Sequence, residues 1–153
     1  MRLRVLLVNP PRVQGLPVVR EERYEHRDMG SVYPPLSLLQ AAASLRAEGV
    51  DVRVLDANGF DLPLARVADA LRSFEPHIVV TRLAFDCQEE DLKVLQTAQT
   101  VTPNAVRVVR CRIVSDVPDL LAKLAARAEV DLCLTGEPDS VLPLLAKSLV
   151  QVL

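Results

Sequence analysis

The feature that most constrains the fold is the stretch from Arg2 to Pro11, in which the apolar run Val5 to Val8 ends abruptly at Asn9-Pro10-Pro11. A strand that is apolar at consecutive positions must be covered on both faces, which is typical of parallel sheets in α/β proteins. Proline donates no hydrogen bond to a sheet and favours extended geometry in the residue before it. The sequence therefore predicts a buried central strand that ends at Asn9, and we expect a ligand to bind in the loop that follows.

Composition and charge indicate how many domains the chain forms and which kinds of molecule it binds. Half of the 153 residues are hydrophobic and the formal net charge is −2. We therefore expect one domain, residues 1–153, that buries roughly two thirds of its unfolded surface. Scattered basic residues argue against nucleic acid or a membrane as the main partner. No apolar run reaches the roughly 18–20 residues of a membrane span, and no signal-peptide core follows Met1-Arg2, so we expect a cytoplasmic protein.

The three cysteines, Cys87, Cys111 and Cys133, are far apart in the sequence and share no short metal-binding or redox spacing. We expect mostly buried thiols in a reducing compartment.

After the first strand, short apolar strands alternate with amphipathic helices. Strands are predicted at 50–55, 77–81, 105–109 and 130–135, and helices at about 36–48, 64–74, 86–101, 118–128 and 140–150. Arginines interrupt the fourth strand, which suggests an edge strand. Five strand–helix repeats predict a doubly wound, five-stranded parallel sheet in a three-layer αβα arrangement, with the Rossmann-like, flavodoxin-like order 2-1-3-4-5.

The connection from residue 12 to residue 34 is unusually long and polar, and it contains a charged block at 20–28. Connections of this length within compact domains are usually functional or mobile.

In the order 2-1-3-4-5, ligands bind at the carboxyl ends of the strands, beside the first and third strands. The loops at that edge contain Asn9, Pro10 and Pro11, Thr81 to Asp86, Ser115-Asp116, and Thr135 to Asp139. Asp86 is also placed to cap the third helix, ahead of the acidic residues in its first turn. His77 begins its strand at the opposite edge, so we expect a partly exposed histidine without a catalytic role.

Motifs of several common functions are missing where this topology would need them. No G-x-G-x-x-G or Walker loop follows the first strand, which argues against a nicotinamide enzyme or a P-loop NTPase. The acidic pair that a response-regulator receiver needs at that position is also missing. Without H-E-x-x-H, G-x-S-x-G or a Cys/His cluster, the sequence offers no self-contained hydrolase or metal site.

Segments 5–11, 30–39, 41–49, 52–57 and 134–138, taken in this order and at this spacing, cover the characteristic positions of one family. They include the strand ending Asn9-Pro10-Pro11, the stretch Tyr33-Pro34-Pro35-Leu36, and Thr135-Gly136-Glu137-Pro138. In these segments the chain resembles the N-terminal cobalamin-binding domain of cobalamin-dependent radical S-adenosylmethionine enzymes. The similarity covers nearly the whole chain.

The resemblance implies a cobalamin site at the carboxyl edge of the sheet. A corrin is a broad, mostly apolar disc with amide edges, and loops of small residues, backbone groups and hydroxyls suit it. It implies that Thr81, Leu83, Ala84 and Phe85 underlie the ring and that Thr135, Gly136 and Glu137 flank the nucleotide tail. The remaining expected cofactor-binding residues are Asn9, Pro10, Pro11, Tyr33, Asp86 and Ser115. A purely structural role remains open for Thr81, as a strand end, and for Asp86, as a helix cap.

The chain departs from related patterns at three places. The D-x-H-x-x-G motif that supplies a histidine to cobalt is absent, and His26, in the corresponding connection, lacks its spacing. We therefore expect base-off cobalamin without a protein histidine ligand. Residues 110–115 replace a glycine-rich turn that family members commonly show. No C-x-x-x-C-x-x-C motif is present, so we expect this chain to bind no iron-sulfur cluster and to have no catalytic residues of its own.

Two readings of such a chain are a stand-alone cobalamin carrier and a piece of a methyltransferase-like enzyme whose radical S-adenosylmethionine domain is in the same or a separate protein. An alternative is a cofactor-free interaction or regulatory module that docks through its charged loop. A third possibility is an enzyme that binds another small molecule in the same crevice.

Overall fold

A computed structural model describes residues 2–21, 26–27 and 32–150. The main strands are β1 (Arg4–Asn9), β2 (Asp51–Asp56), β3 (Ile78–Arg82), β4 (Val106–Arg110) and β5 (Leu132–Leu134). The α-helices are α1 (Leu36–Ala47), α2 (Leu64–Phe74), α3 (Gln88–Val101), α4 (Pro118–Ala125) and α5 (Pro138–Val150). Two short strands, Val18–Val19 and His26–Arg27, pair antiparallel as a separate ribbon. No helix in these ranges is long and apolar enough to cross a membrane.

The main sheet has the order β2-β1-β3-β4-β5, and all its strand pairs are parallel. This confirms the doubly wound order 2-1-3-4-5 predicted from the sequence. At the centre of β1, Leu7 lies between Val54 of β2 and Val80 of β3. The helix that follows β1 (α1) and the helix that follows β3 (α3) cover opposite faces of the sheet, so the switch in winding direction falls between β1 and β3.

Both faces of the sheet are covered by helices. On one face, Leu7 and Val80 pack with Leu38 of α1 and Leu142 of α5. On the other face, residues of β1 and β3 pack with α2, α3 and α4. Leu6 and Leu7 point to opposite faces, yet each is at most 1% exposed. The two-sided burial explains why β1 is apolar at every central position.

Strand β4 is an interior strand, between β3 and β5, and the prediction of an edge strand was wrong. Its charged residues are paired at both ends. Arg107 makes two bonds to Asp131, Nε to Oδ2 at 2.8 Å and Nη2 to Oδ1 at 2.7 Å, at the amino end. Arg110 contacts Glu137 at the carboxyl end. Salt bridges to neighbouring loops therefore allow arginine to stand in a central strand.

Helix boundaries follow the predictions except at the starts of α3 and α5 and at the end of α4, which is Ala125 instead of residue 128. Gly49 ends α1 as expected: its φ is +77°, and the Val50 N–H donates to the Leu45 carbonyl at 3.1 Å. Helix α3 begins at Gln88 after a 3₁₀ turn, Phe85–Cys87, and no side chain caps it. The predicted cap at Asp86 was therefore wrong, because the 3₁₀ turn separates Asp86 from the start of the helix. Helix α5 begins at Pro138, two residues earlier than predicted.

Cys87 and Cys111 are buried, and Cys133 is half-buried. Burial raises the pKa of the Cys133 thiol. The sequence prediction of mostly buried thiols is thereby confirmed.

His77 lies at the amino edge, and its Nδ1 accepts a hydrogen bond from the Arg4 N–H at 3.0 Å. Partial burial and the Arg4 charge lower the pKa of His77 below its usual 6.5. Between the two pKa values the unfolded chain binds a proton that the folded protein does not. We therefore expect the contribution of neutral His77 to stability to be complete above pH 6.5. The free energy of unfolding should decrease as the pH falls toward the pKa of His77 in the folded protein.

An NMR titration of the imidazole resonances, with His26→Gln to assign the two histidines, measures this pKa directly. A His77 pKa at or above the usual value would contradict the expected shift.

Candidate functional site

The loops that follow the five strands all lie at the carboxyl edge of the sheet, where open α/β sheets bind ligands. Three aromatic side chains in these loops are exposed: Tyr33 by 55%, Phe60 by 76% and Phe85 by 54%. They follow β1, β2 and β3 respectively. Large aromatic side chains are normally well buried, so exposed ones in the loops of this edge provide a candidate contact surface for a ligand. We call these three residues the aromatic rim.

Behind this surface, a buried ion pair joins the long connection to α3. Arg20 and Asp91 have side chains that are 1% and 0% exposed. The Arg20 guanidinium donates to both carboxylate oxygens of Asp91, from Nη2 at 2.6 Å and from Nε at 3.0 Å. The Ala84 N–H, in the loop after β3, donates to Asp91 Oδ2 at 2.8 Å. Burial raises the pKa of Asp91, and the Arg20 charge and these hydrogen bonds oppose that rise.

The same guanidinium fixes the loop after β1. Arg20 donates to the carbonyl oxygens of Pro10 and Pro11, each at 3.1 Å, and lies 3.4 Å from Asn9 Oδ1. Pro10 and Pro11 follow the end of β1, so their carbonyl oxygens have no hydrogen-bond donor from a neighbouring strand. The buried Arg20 guanidinium supplies the donors that these carbonyls need. The crevice between the loops after β1 and β3 thus contains Arg20 and Asp91, which hold both loops in place.

Asn9 serves to connect loops within the protein. Its Nδ2 donates to Asp56 Oδ1 at 2.7 Å, and the Gly59 N–H donates to the same oxygen at 2.9 Å. Next to this turn, Asn58 is buried, and its Oδ1 accepts the Val18 N–H at 2.8 Å. The loop after β2, which carries Phe60, is therefore fixed to β1 and to the long connection.

The structure places the predicted cofactor-binding residues at one edge but at different depths. Asn9, Pro10, Thr81, Leu83 and Ala84 are buried, Pro11 and Gly136 are half-buried, and Tyr33, Phe85, Asp86, Thr135 and Glu137 are exposed. The Thr81 hydroxyl donates to the Val8 carbonyl at 3.2 Å, inside the sheet. Ser115 ends a 3₁₀ turn, Arg112–Ser115, and its side chain lies outside the described residues. The same holds for the side chain of His26.

Two buried arginines at this edge were not among the predicted site residues. Arg82 and Arg110 end β3 and β4, and they are 2% and 3% exposed. Arg82 donates to Glu21 Oε2 at 3.1 Å and to the Ser37 hydroxyl. Arg110 donates to Glu137 Oε1 at 3.3 Å. In the sequence, an arginine at the end of an apolar strand suggested the start of a loop. Only the residues that surround Arg82 and Arg110 in the structure show that these arginines are buried.

A cavity of about 500 Å³ opens at the same edge, on the side of α2 and α3. Its lining includes Arg12, Asp61, Glu90 and Lys93. This volume is in the usual range for small-molecule pockets, and the charged lining suits a polar ligand. Among the residues that the structure describes, no group of three or more His, Cys, Asp or Glu side chains could hold a metal ion.

Sheet order and the position of the loops define a doubly wound α/β domain, and comparison with known proteins finds solved structures that share its fold. The cobalamin-dependent S-adenosylmethionine radical enzyme OxsB, solved with aqua-cobalamin and S-adenosylmethionine bound, has a TM-score of 0.74 and 18% identity. This match covers 99% of the chain and 19% of OxsB. The radical S-adenosylmethionine methyltransferase TsrM from Kitasatospora setae has a TM-score of 0.70 and 20% identity, with 97% and 26% coverage.

These structures confirm, at the level of the fold, the resemblance expected from the sequence. An uncharacterized methyltransferase of Pyrococcus horikoshii is 26% identical over 118 residues, which are 77% of this chain and 24% of that protein. No family model matches the chain. The chain thus spans about a quarter or less of the length of these relatives.

The receiver domain of DrrB shares the fold more distantly, with a TM-score of 0.59, 13% identity and 99% coverage of both chains. The end of β1 differs from the receiver pattern. Asn9 and Pro10 stand where a receiver needs its acidic pair, and Asn9 is bonded to Asp56.

Proposed function

We propose that this chain binds cobalamin at the carboxyl edge of its sheet and serves a methyltransferase-like radical S-adenosylmethionine system. The observation that carries the proposal is the aromatic rim, three exposed aromatic side chains in the loops after β1, β2 and β3. Support also comes from the fold shared with cobalamin-bound OxsB. Bound cobalamin would supply a cobalt ion able to carry a methyl group between a donor and an acceptor.

The residues at this edge fit a large flat cofactor. A corrin ring has apolar faces, and covering exposed aromatic surface stabilises the bound state by roughly 25 cal/mol per Å². Its amide edges need hydrogen-bonding groups, and Asp86, Thr135 and Glu137 are exposed at the same edge. Thr81, Leu83 and Ala84 lie deeper, where they fix the loop that presents Phe85. In this proposal Tyr33, Phe85 and the segment 135–137 contact the cofactor.

The proposal includes base-off cobalamin without a protein histidine ligand. His77 lies at the amino edge, across the sheet from the proposed site. In the cobalt(II) form of the complex, the electron paramagnetic resonance spectrum should show no hyperfine splitting from an imidazole nitrogen. The His26→Ala variant should give an unchanged spectrum. Imidazole splitting that disappears in this variant would contradict the absence of a histidine ligand.

The binding itself is tested with purified protein and hydroxocobalamin. After incubation and desalting, we expect the protein fraction to retain the visible spectrum of the corrinoid at close to one equivalent. A colourless protein would contradict the proposed function.

Methyl transfer requires chemistry that this chain's described residues do not supply. We propose that a radical S-adenosylmethionine domain, in the same protein or a separate one, completes the active site and holds the iron-sulfur cluster. We propose a cytoplasmic location, as expected from the sequence. The reducing environment of the cytoplasm is compatible with both S-adenosylmethionine chemistry and cysteine thiols.

A further inference from the structure

The Arg110 guanidinium is buried with most of its hydrogen-bonding capacity unused. Its side chain is 4% exposed, and among the described residues its Nη2 forms an ion pair with Glu137 Oε1 at 3.3 Å. Its Nε and Nη1 atoms are buried and have no hydrogen-bond partner among the described residues. Guanidinium groups in protein interiors normally use their N–H fork on carboxylate, phosphate or carbonyl oxygens. The unused donors therefore indicate an acceptor that is not part of the described chain.

The neighbouring strand does not provide that acceptor. Arg82 of β3 is the register partner of Arg110, so the two side chains stand side by side on the face covered by α1 and α5. The Glu21 carboxylate and the Ser37 hydroxyl near Arg82 are bonded to Arg82 and to each other. Two buried guanidiniums thus share this corner, and Glu137 is the carboxylate that faces Arg110.

Two features make the corner favourable for an external anion. Helix α5 begins at Pro138, immediately after Glu137, and α1 begins at Leu36, next to Ser37. The amino ends of helices carry partial positive charge, which adds to that of the arginines. Glu137 is 53% exposed and makes a single long contact, so its carboxylate can move into solvent and leave the position beside Arg110.

We propose that Arg110 is the centre of an oxyanion site that binds a phosphate group in place of the Glu137 carboxylate. A tetrahedral phosphate offers several acceptor oxygens to the guanidinium fork, whereas Glu137 offers one at a long distance. The phosphate group comes either from a free phosphate-bearing ligand or from the phosphodiester of the cobalamin nucleotide. The site itself does not rest on the cobalamin proposal, because its donors are present without any corrinoid.

The test measures binding of inorganic phosphate by calorimetry without corrinoid, using sulfate-free buffer. Arg110→Met should weaken phosphate binding at least about tenfold, since it removes charged hydrogen-bond donors. Glu137→Gln should strengthen binding, since it removes the competing carboxylate. Arg72→Gln, which removes an exposed arginine of α2, is the matched control and should leave the affinity unchanged.

If Arg110→Met does not fold, Glu137→Gln and the control Arg72→Gln still test the site. Glu137 and Arg72 are exposed, so these two variants should fold. Phosphate binding that is absent, or that neither Arg110→Met nor Glu137→Gln alters, would overturn the site. Competition then identifies the source of the phosphate group. Displacement by hydroxocobalamin but not by cobinamide, which lacks the nucleotide, supports the cofactor as source, and no displacement by either supports a separate ligand.

Discussion

Asp91→Asn is expected to lower the free energy of unfolding by about 3–5 kcal/mol, because it leaves the buried Arg20 charge without its counter-ion. Arg20 donates twice to Asp91, and both side chains are almost completely buried. The same change weakens the acceptor for the Ala84 N–H, so the loops after β1 and β3 both lose support. Equilibrium unfolding in urea at neutral pH measures the effect.

Two comparisons make this result specific to the ion pair. Asp69→Asn removes an acidic residue of α2 that is exposed and pairs with exposed arginines, and it should cost less than about 1 kcal/mol. The double variant Arg20→Met/Asp91→Leu should be more stable than Asp91→Asn, since it leaves no charge buried alone. An Asp91→Asn protein as stable as Asp69→Asn would contradict the role given to this pair.

The double variant Tyr33→Ala/Phe85→Ala is expected to lower the affinity for hydroxocobalamin by about 30-fold or more, the loss of roughly 2 kcal/mol of apolar contact. Both side chains are more than half exposed, so their removal should leave the folded structure intact. A titration followed by the change in the corrinoid's visible spectrum gives the dissociation constants.

Leu144→Ala is the matched control for this experiment. Leu144 is an equally exposed apolar residue, 63%, but it lies in the middle of α5, away from the loops. Its replacement should leave the affinity for hydroxocobalamin unchanged. Equal affinities of the parent protein and the Tyr33/Phe85 double variant would show that the aromatic rim does not contact the cofactor.

Much of the fold could be predicted because local patterns and sheet rules agree. The unbroken apolar run of β1 requires cover on both faces, and the crossover helices then leave few possible strand orders. The interior position of β4 could not be predicted. Arg107 is acceptable there because Asp131, far along the chain, supplies two hydrogen bonds to it.

The sequence predicted that the candidate site lies at the carboxyl edge of the sheet. It did not predict which of the candidate residues are buried and which are exposed. Strand ends fix which loops meet, so Phe85 and Glu137 were placed correctly at the carboxyl edge. Whether Thr81 or Ala84 reaches the surface depends on tertiary contacts, here the bonds to Val8 and Asp91.

Arg20 belongs to the charged block of the long polar connection, which the sequence predicted only to be functional or mobile. Its partner Asp91 lies 71 residues further along the chain, and no local pattern reports a pairing over that distance.

Hydrogen exchange with and without hydroxocobalamin tests most directly whether cobalamin binds at the carboxyl edge of this sheet. We expect slower exchange in segments 32–37, 83–87 and 135–137, which lie at that edge. The segment 101–105 and His77, at the amino edge, should be unaffected. Protection confined to the amino edge, or no protection at any segment with saturating hydroxocobalamin, would show that cobalamin does not bind at the carboxyl edge.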